Sequence, residues 1–168
     1  MKEEWGNSKM IIHARVDERL IHGQVAAVWS NVVNAERLYV VNDSAWNDEM
    51  VLGALQLAKP AGKKLTVSSI RRAIVNFKEN RFGDERVFVL TKTIGDMKAL
   101  VDAGLLDEFN VGNISKQGED SVQVKKSVFL SPQDIEQLKE LTENGTKITA
   151  RMVPGESDAS IMSMIDDK

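Results

Sequence analysis

Apolar residues recur along this chain at two spacings: short runs that suit strands, and three- and four-residue steps that suit one face of a helix. The first run, Met10 to Val16, is rich in β-branched residues and predicts a strand. From Gly23 to Val33, the positions Val25, Val28, Trp29 and Val32 predict a helix. Arg37 to Val41 is almost continuously apolar, as in a strand covered on both sides, and Asn42-Asp43-Ser44 closes it. A helical stretch through Met50, Leu52, Leu55 and Leu57 is stopped by Pro60 and Gly62. Lys64 to Val67 predicts a third strand, followed by a helix through Ile70, Ala73, Ile74 and Phe77 that Ser68 or Ser69 caps. Arg86 to Leu90 predicts a fourth strand, Thr93 to Ala103 a helix ending at Gly104, and Glu108 to Val111 a fifth strand.

Past Gly112 the rhythm changes. Asn113 to Asp120 reads as loop, and Ser121–Val124 and Ser127–Leu130 as short edge strands. Ser131-Pro132 is a strong helix start, with Ser as cap and Pro as first helical residue. That helix runs through Ile135, Leu138 and Leu141 to Asn144-Gly145; Lys147 to Val153 predicts a last strand, and Ile161 to Ile165 a short C-terminal helix. The expected fold is a single α/β domain over 10–168, a mainly parallel open twisted sheet with helices on both faces, its active loop after strand 1. Residues 1–9 are polar and patternless and are expected to form a disordered leader. Ligands of such sheets sit outside the carboxyl ends of the strands.

Composition narrows the function classes. A formal charge of −3 over 168 residues gives no global attraction to nucleic acid. With no cysteine there are no disulfides, thiolate metal sites or thiol nucleophile. No run is long and apolar enough for a membrane span or a signal sequence, so the chain reads as cytoplasmic.

The chemistry concentrates after strand 1, in Arg15-Val16-Asp17-Glu18-Arg19-Leu20-Ile21-His22-Gly23-Gln24. A neutral imidazole is a good nucleophile near neutral pH and can carry a phosphoryl group briefly. Transfer spreads negative charge over the phosphoryl oxygens, so the site must supply cations and N–H donors. Arg15 and Arg19 offer forked donors, and the amides of Gly23 and Gln24 offer more at the helix start. Asp17 has two available roles: to accept from the imidazole nitrogen that does not attack, or to orient Arg19. The ordinary readings compete. A loop histidine is usually a surface residue, and Arg-Asp-Glu-Arg is usually a solvated salt-bridge cluster. By the same measure His13 is structural, Trp29 and Trp46 are core and rim aromatics rather than a sugar-stacking pair, and Lys125-Lys126 is an exposed strand end.

The segment Arg15 to Val25 resembles the R-[IV]-D-x-R-L-I-H-G-Q-V signature of enzyme IIB proteins in the mannose/fructose/sorbose family of the bacterial sugar phosphotransferase system (PTS). Leu38 to Asp43 resembles that family's second strand, Phe109-Asn110-Val111-Gly112-Asn113 its N-[VI]-G-G/N turn, and Lys126 to Ser131 its late strand and helix start. The resemblance implies that His22 receives phosphate from a phosphohistidine on IIA and passes it to a sugar entering through the membrane IIC/IID components. It implies phosphate-binding roles for Arg15, Arg19, Gly23 and Gln24, and a place for Thr91 beside the same crevice. Neither metal nor cofactor is expected, the IIA donor is expected on a separate chain, and the absence of cysteine fits, since other sugar families of the system use one at this step. Glu18 stands where aspartate is common, and Asn113 where glycine is common. Two rivals fit less well. A receiver-like domain, with Asp17 and Glu18 as metal pair, needs an aspartate ending the third strand, where Ser68 and Ser69 stand. A non-catalytic sugar-phosphate or nucleotide-binding module lacks any G-x-G-x-x-G or P-loop sequence.

Overall fold

A computed structural model describes residues 11–168; the expected leader and the Met10 start of the first strand lie outside them. Six parallel strands form one sheet: β1 (Ile11–Asp17), β2 (Arg37–Val41), β3 (Lys64–Ser68), β4 (Val87–Thr91), β5 (Glu108–Asn113) and a short last strand, Lys147–Thr149. Between β5 and that last strand lie β6 (Val122–Lys125) and β7 (Val128–Leu130), so the last strand is β8. Its neighbours run β3-β2-β4-β1-β5-β8. β6 and β7 pair with each other as an antiparallel hairpin outside the main sheet, not along its edge.

Side chains alternate across each strand, and that alternation builds two apolar layers. On one face Leu38, Val40, Phe88 and Leu90 meet α1 (Gly23–Val32), α2 (Asp43–Trp46) and α3 (Glu49–Ala58) through Trp29, Ala45 and Leu55. On the other, Ala14, Val16, Tyr39, Val87 and Val89 meet α4 (Ile70–Lys78), α5 (Ile94–Asp102), α6 (Pro132–Glu143) and α7 (Ile161–Asp166). Neighbouring strands β1 and β4 therefore send their following helices to opposite faces. Such a divide opens a crevice at the carboxyl ends of the strands, and the loop after β1 lies there.

Among the described residues, six of the seven helices begin with a side chain that accepts from the first turn. Asn42 caps α2, Asp48 α3, Ser69 α4, Thr93 α5 and Ser160 α7, while Ser131 and Asp134 form a reciprocal capping box on α6 behind Pro132. The exception is α1. Its N-cap is His22, whose ring makes no capping bond.

Three local expectations change. Four residues after β2, expected only to close the strand, form α2, because the Asn42 amide oxygen takes the Ala45 N–H. The last strand stops at Thr149 instead of reaching Val153, because the Arg151 N–H turns to the Asn110 amide oxygen at 2.7 Å. Lys125 is not a free strand end: its ammonium bonds the Ala150 carbonyl at 3.1 Å and the Glu156 carboxylate. Trp29 is core and Trp46 half-exposed, as expected.

Candidate active site

β1 carries His13, Arg15 and Asp17 on the face opposite Ala14 and Val16. Arg15 and Asp17 are both 1% exposed, a heavy desolvation for charged groups that only close pairing offsets. Asp17 is saturated by guanidinium groups. Its Oδ1 accepts from the Arg19 backbone N–H and Nε, each at 3.0 Å, and its Oδ2 from Arg19 Nη2 at 3.0 Å and Arg15 Nε and Nη2 at 3.4 Å. Arg19 thus grips the carboxylate with its fork and keeps Nη1 for His22 Nδ1, 3.3 Å away. Of the two roles open to Asp17, orienting Arg19 is the one found; no bond joins Asp17 to the imidazole.

The loop is pinned by burying two apolar residues in an otherwise open segment. Leu20 and Ile21, each 5% exposed, insert into the α1-side core. A turn bond from the Leu20 N–H to the Asp17 carbonyl at 2.8 Å brings Leu20 to φ +62°, a left-handed conformation uncommon for leucine. His22, Gly23 and Gln24 then emerge exposed together. Gly23 sits at φ +46°, where a side chain is disfavoured, and starts α1 with its first amides uncapped.

Arg15, expected as a phosphate ligand, lies underneath. Its Nη1 donates to the Arg151 carbonyl at 2.9 Å, its Nη2 is 3.7 Å from Met152 Sδ, and its Cζ lies 5.5 Å from the Trp29 ring centroid. Sealed there, it presents no donor to the surface and supports Asp17 from below. Burial pulls its pKa down, and Asp17 opposes that pull. Arg19 behaves oppositely: its bond to Asp17 raises its pKa. Thr91 is fully buried, and its hydroxyl donates to the Thr93 carbonyl, away from the loop.

The layer beneath Arg15 was not anticipated. Trp29 donates its Nε1–H to the Met152 carbonyl at 2.9 Å and stacks on His13 with centroids 4.4 Å apart. Burial, with Arg15 and Arg151 nearby, lowers the His13 pKa to about 3. The strict alternation His13, Arg15, Asp17 against Ala14, Val16 was the available sign that these polar groups share one face.

Chemically, the loop offers one exposed imidazole, one half-exposed guanidinium touching it, and a helix start whose amides no side chain occupies. Asp17 and Glu18 offset the charges of Arg15 and Arg19, so the donors a dianionic phosphoryl group requires are local ones: Arg19 Nη1 beside the ring and the uncapped helix amides.

Comparison with known proteins bears on the same region. Residues 11–168 match the family described as "PTS system sorbose subfamily IIB component". The chain belongs to this family. It is 36% identical over 156 residues to the sorbose-specific EIIB component of Klebsiella pneumoniae, covering 92% of this chain and 94% of that one. It is 32% identical over 162 residues to the mannose-specific EIIAB component of Escherichia coli K12, covering 95% of this chain and 50% of that longer protein. The crystal structure of the IIBSor domain of the K. pneumoniae sorbose permease superposes with a TM-score of 0.88 at 36% identity, over 94% of this chain and 97% of that one. As a IIB component the chain is a phosphoryl-transfer component of sugar import, working with the IIA and membrane components of its system. No helix among the described residues is long and apolar enough to cross a membrane.

Proposed function

We propose that His22 is the residue that carries the phosphoryl group, received from a phosphohistidine on a separate IIA chain and delivered to a sugar held by the membrane IIC/IID components. The observation that carries this reading is the 3.3 Å contact between Arg19 Nη1 and His22 Nδ1. A guanidinium N–H can only donate, so Nδ1 must be the lone-pair nitrogen and the ring proton sits on Nε2. The nucleophilic lone pair is therefore already aimed at the cation that the incoming group needs.

In an in-line exchange the Nδ1 lone pair forms the new N–P bond while the donor's N–P bond breaks, its electron pair returning to the donor imidazole. As the phosphoryl group arrives, Arg19 Nη1 exchanges the ring nitrogen for a phosphoryl oxygen, with Asp17 holding the rest of the fork in place. The free amides at Gly23 and Gln24 take the remaining charge. Exchange between two imidazoles is close to balanced in energy, so alignment and charge stabilisation do most of the catalysis. Arg15 acts here by keeping Asp17 in register. The activity is that of a protein-phosphohistidine–sugar phosphotransferase working at the cytoplasmic side of a membrane permease.

Labelled phosphoenolpyruvate with the upstream carriers tests this. Wild-type chain is expected to take up acid-labile, base-stable label, and His22→Ala to take up none. Label retained in His22→Ala moves the carrier elsewhere, and an unlabelled wild type leaves only a binding module.

A further inference from the structure

Below the reacting loop, β5 sends two residues toward Arg15, and neither meets a reacting group. The Asn110 side chain closes on both polar atoms of one backbone residue: its Nδ2 donates to the Arg151 carbonyl at 2.8 Å, and its Oδ1 accepts the Arg151 N–H at 2.7 Å. The same Arg151 carbonyl receives Arg15 Nη1 at 2.9 Å. Two residues on, the sheet register slips: Val16 pairs with Val111 and Asp17 with Asn113, so Gly112 is left without a partner on β1. A Cβ there would fall 2.0 Å from Arg15 Cζ and 2.1 Å and 2.4 Å from its two Nη atoms. Only a glycine admits the flat guanidinium.

We infer that Asn110 and Gly112 are positioning residues for phosphoryl transfer, Asn110 by fixing the carbonyl that anchors Arg15 and Gly112 by leaving the space it occupies. This rests on the His22 reading. The path is continuous: Asn110 to the Arg151 carbonyl, to Arg15, to Asp17, to Arg19, to His22 Nδ1, each link a hydrogen bond of 2.7–3.4 Å. At its far end nothing else steers the cation: among the described residues, Arg19 bonds only Asp17 and His22. Asp17 in turn is held from below by Arg15 alone. Loosening Arg15 therefore removes the one side chain under Asp17 and lets the Asp17–Arg19 pair shift together, carrying Arg19 Nη1 off the ring nitrogen. Displacements of about an ångström at a reacting centre cost up to about a hundredfold in rate.

The test compares Asn110→Ala with Thr149→Val. Thr149 gives its hydroxyl to the same Asn110 Oδ1 at 2.9 Å but makes no side-chain hydrogen bond to Arg15 or Arg151, so its loss removes a hydrogen bond of the cluster while both Asn110 bonds to Arg151 remain. Three readings are taken: thermal melting, single-turnover transfer from phospho-IIA, and the ¹⁵N signals of the His22 ring. Both variants are expected to melt lower by similar amounts. Asn110→Ala alone is expected to slow transfer by about tenfold or more and to shift the ring from one Nε2–H tautomer toward the mixture of a free histidine. Gly112→Ala is expected to move the ring signals the same way, and Asn110→Ser serves if the alanine variant does not fold. A folded Asn110 variant with wild-type transfer and ring signals overturns the inference, as does equal slowing in Thr149→Val. A wild type that accepts no phosphate sinks the His22 reading instead, while the ring signals still decide the positioning.

Discussion

Replacing His13 with phenylalanine should change how this domain responds to acid. His13 stacks on Trp29 and has a buried Nε2 with no hydrogen-bond partner, and burial with Arg15 and Arg151 beside it lowers its pKa from 6.5 to about 3. The folded pKa is below the unfolded one, so between those values the unfolded chain binds a proton that the folded chain refuses. Stability is full above pH 6.5 and falls as pH drops through that window. At pH 5 the folded ring is neutral, and the loss is set by the unfolded histidine: about 2 kcal/mol relative to pH 8. For a domain of this size that is about 4–8 °C in melting temperature. Phenylalanine keeps a flat ring against Trp29 and removes the titration. Urea or thermal unfolding at pH 8, 6.5 and 5 should therefore show wild type losing about 2 kcal/mol more than His13→Phe over that range. Carboxylates contribute equally to both curves and cancel. Parallel pH profiles for the two proteins would refute a neutral, buried His13.

Arg19→Ala should still fold, because Arg15 stays paired with the buried Asp17, but it should melt lower and transfer about a hundredfold or more slowly; wild-type single-turnover rates would remove Arg19 from the site. Arg19→Lys keeps the charge but not the fork that holds Asp17 while touching His22, and should recover only a small part of that rate. Chelating Mg²⁺ should leave IIA-to-IIB transfer unchanged, since guanidinium and amides supply the charge; a drop on chelation restored by Mg²⁺ alone would show a missing cation. Glu156 has its pKa lowered chiefly by its bond to Lys125, so that pair stabilises the fold above the ordinary carboxylate range and is lost as pH falls through the depressed value. Lys125→Met should flatten the melting curve below pH 5, and an unchanged acid limb would show that the pair contributes nothing.

The strands and long helices were legible because each carries its own period and, apart from α1, each helix its own cap. What escaped depends on partners far along the chain. Nothing in Ala150-Arg151-Met152-Val153 announces that the strand will break, because the group that breaks it, Asn110, lies 41 residues earlier. Arg15 was read as a phosphate ligand from its charge and proximity to His22. The period-two pattern of β1 places it beneath the sheet's end with His13 and Asp17, and reading face before charge would have separated it from Arg19. The two roles left open for Asp17 could be resolved only by coordinates, since both are compatible with the same spacing. The loop after β1 was located from the sequence, where the strand pattern hands over to the helix pattern, and its trio His22-Gly23-Gln24 stands exposed there; the burial of Leu20 and Ile21 that pins it was not.

Among the helices here α1 is the one left without a side-chain cap, and the residue in that place is the one proposed to be modified. If His22 is loaded as proposed, three oxygens come to lie beside the bare amides and would complete the helix as serine, threonine, asparagine and aspartate side chains do elsewhere. On that reading a loaded carrier is expected to melt higher than an empty one, as other helix caps raise stability. The helix start would then present bare amides to the donor and a capped end to the acceptor, a difference the two partners could read without any separate signal.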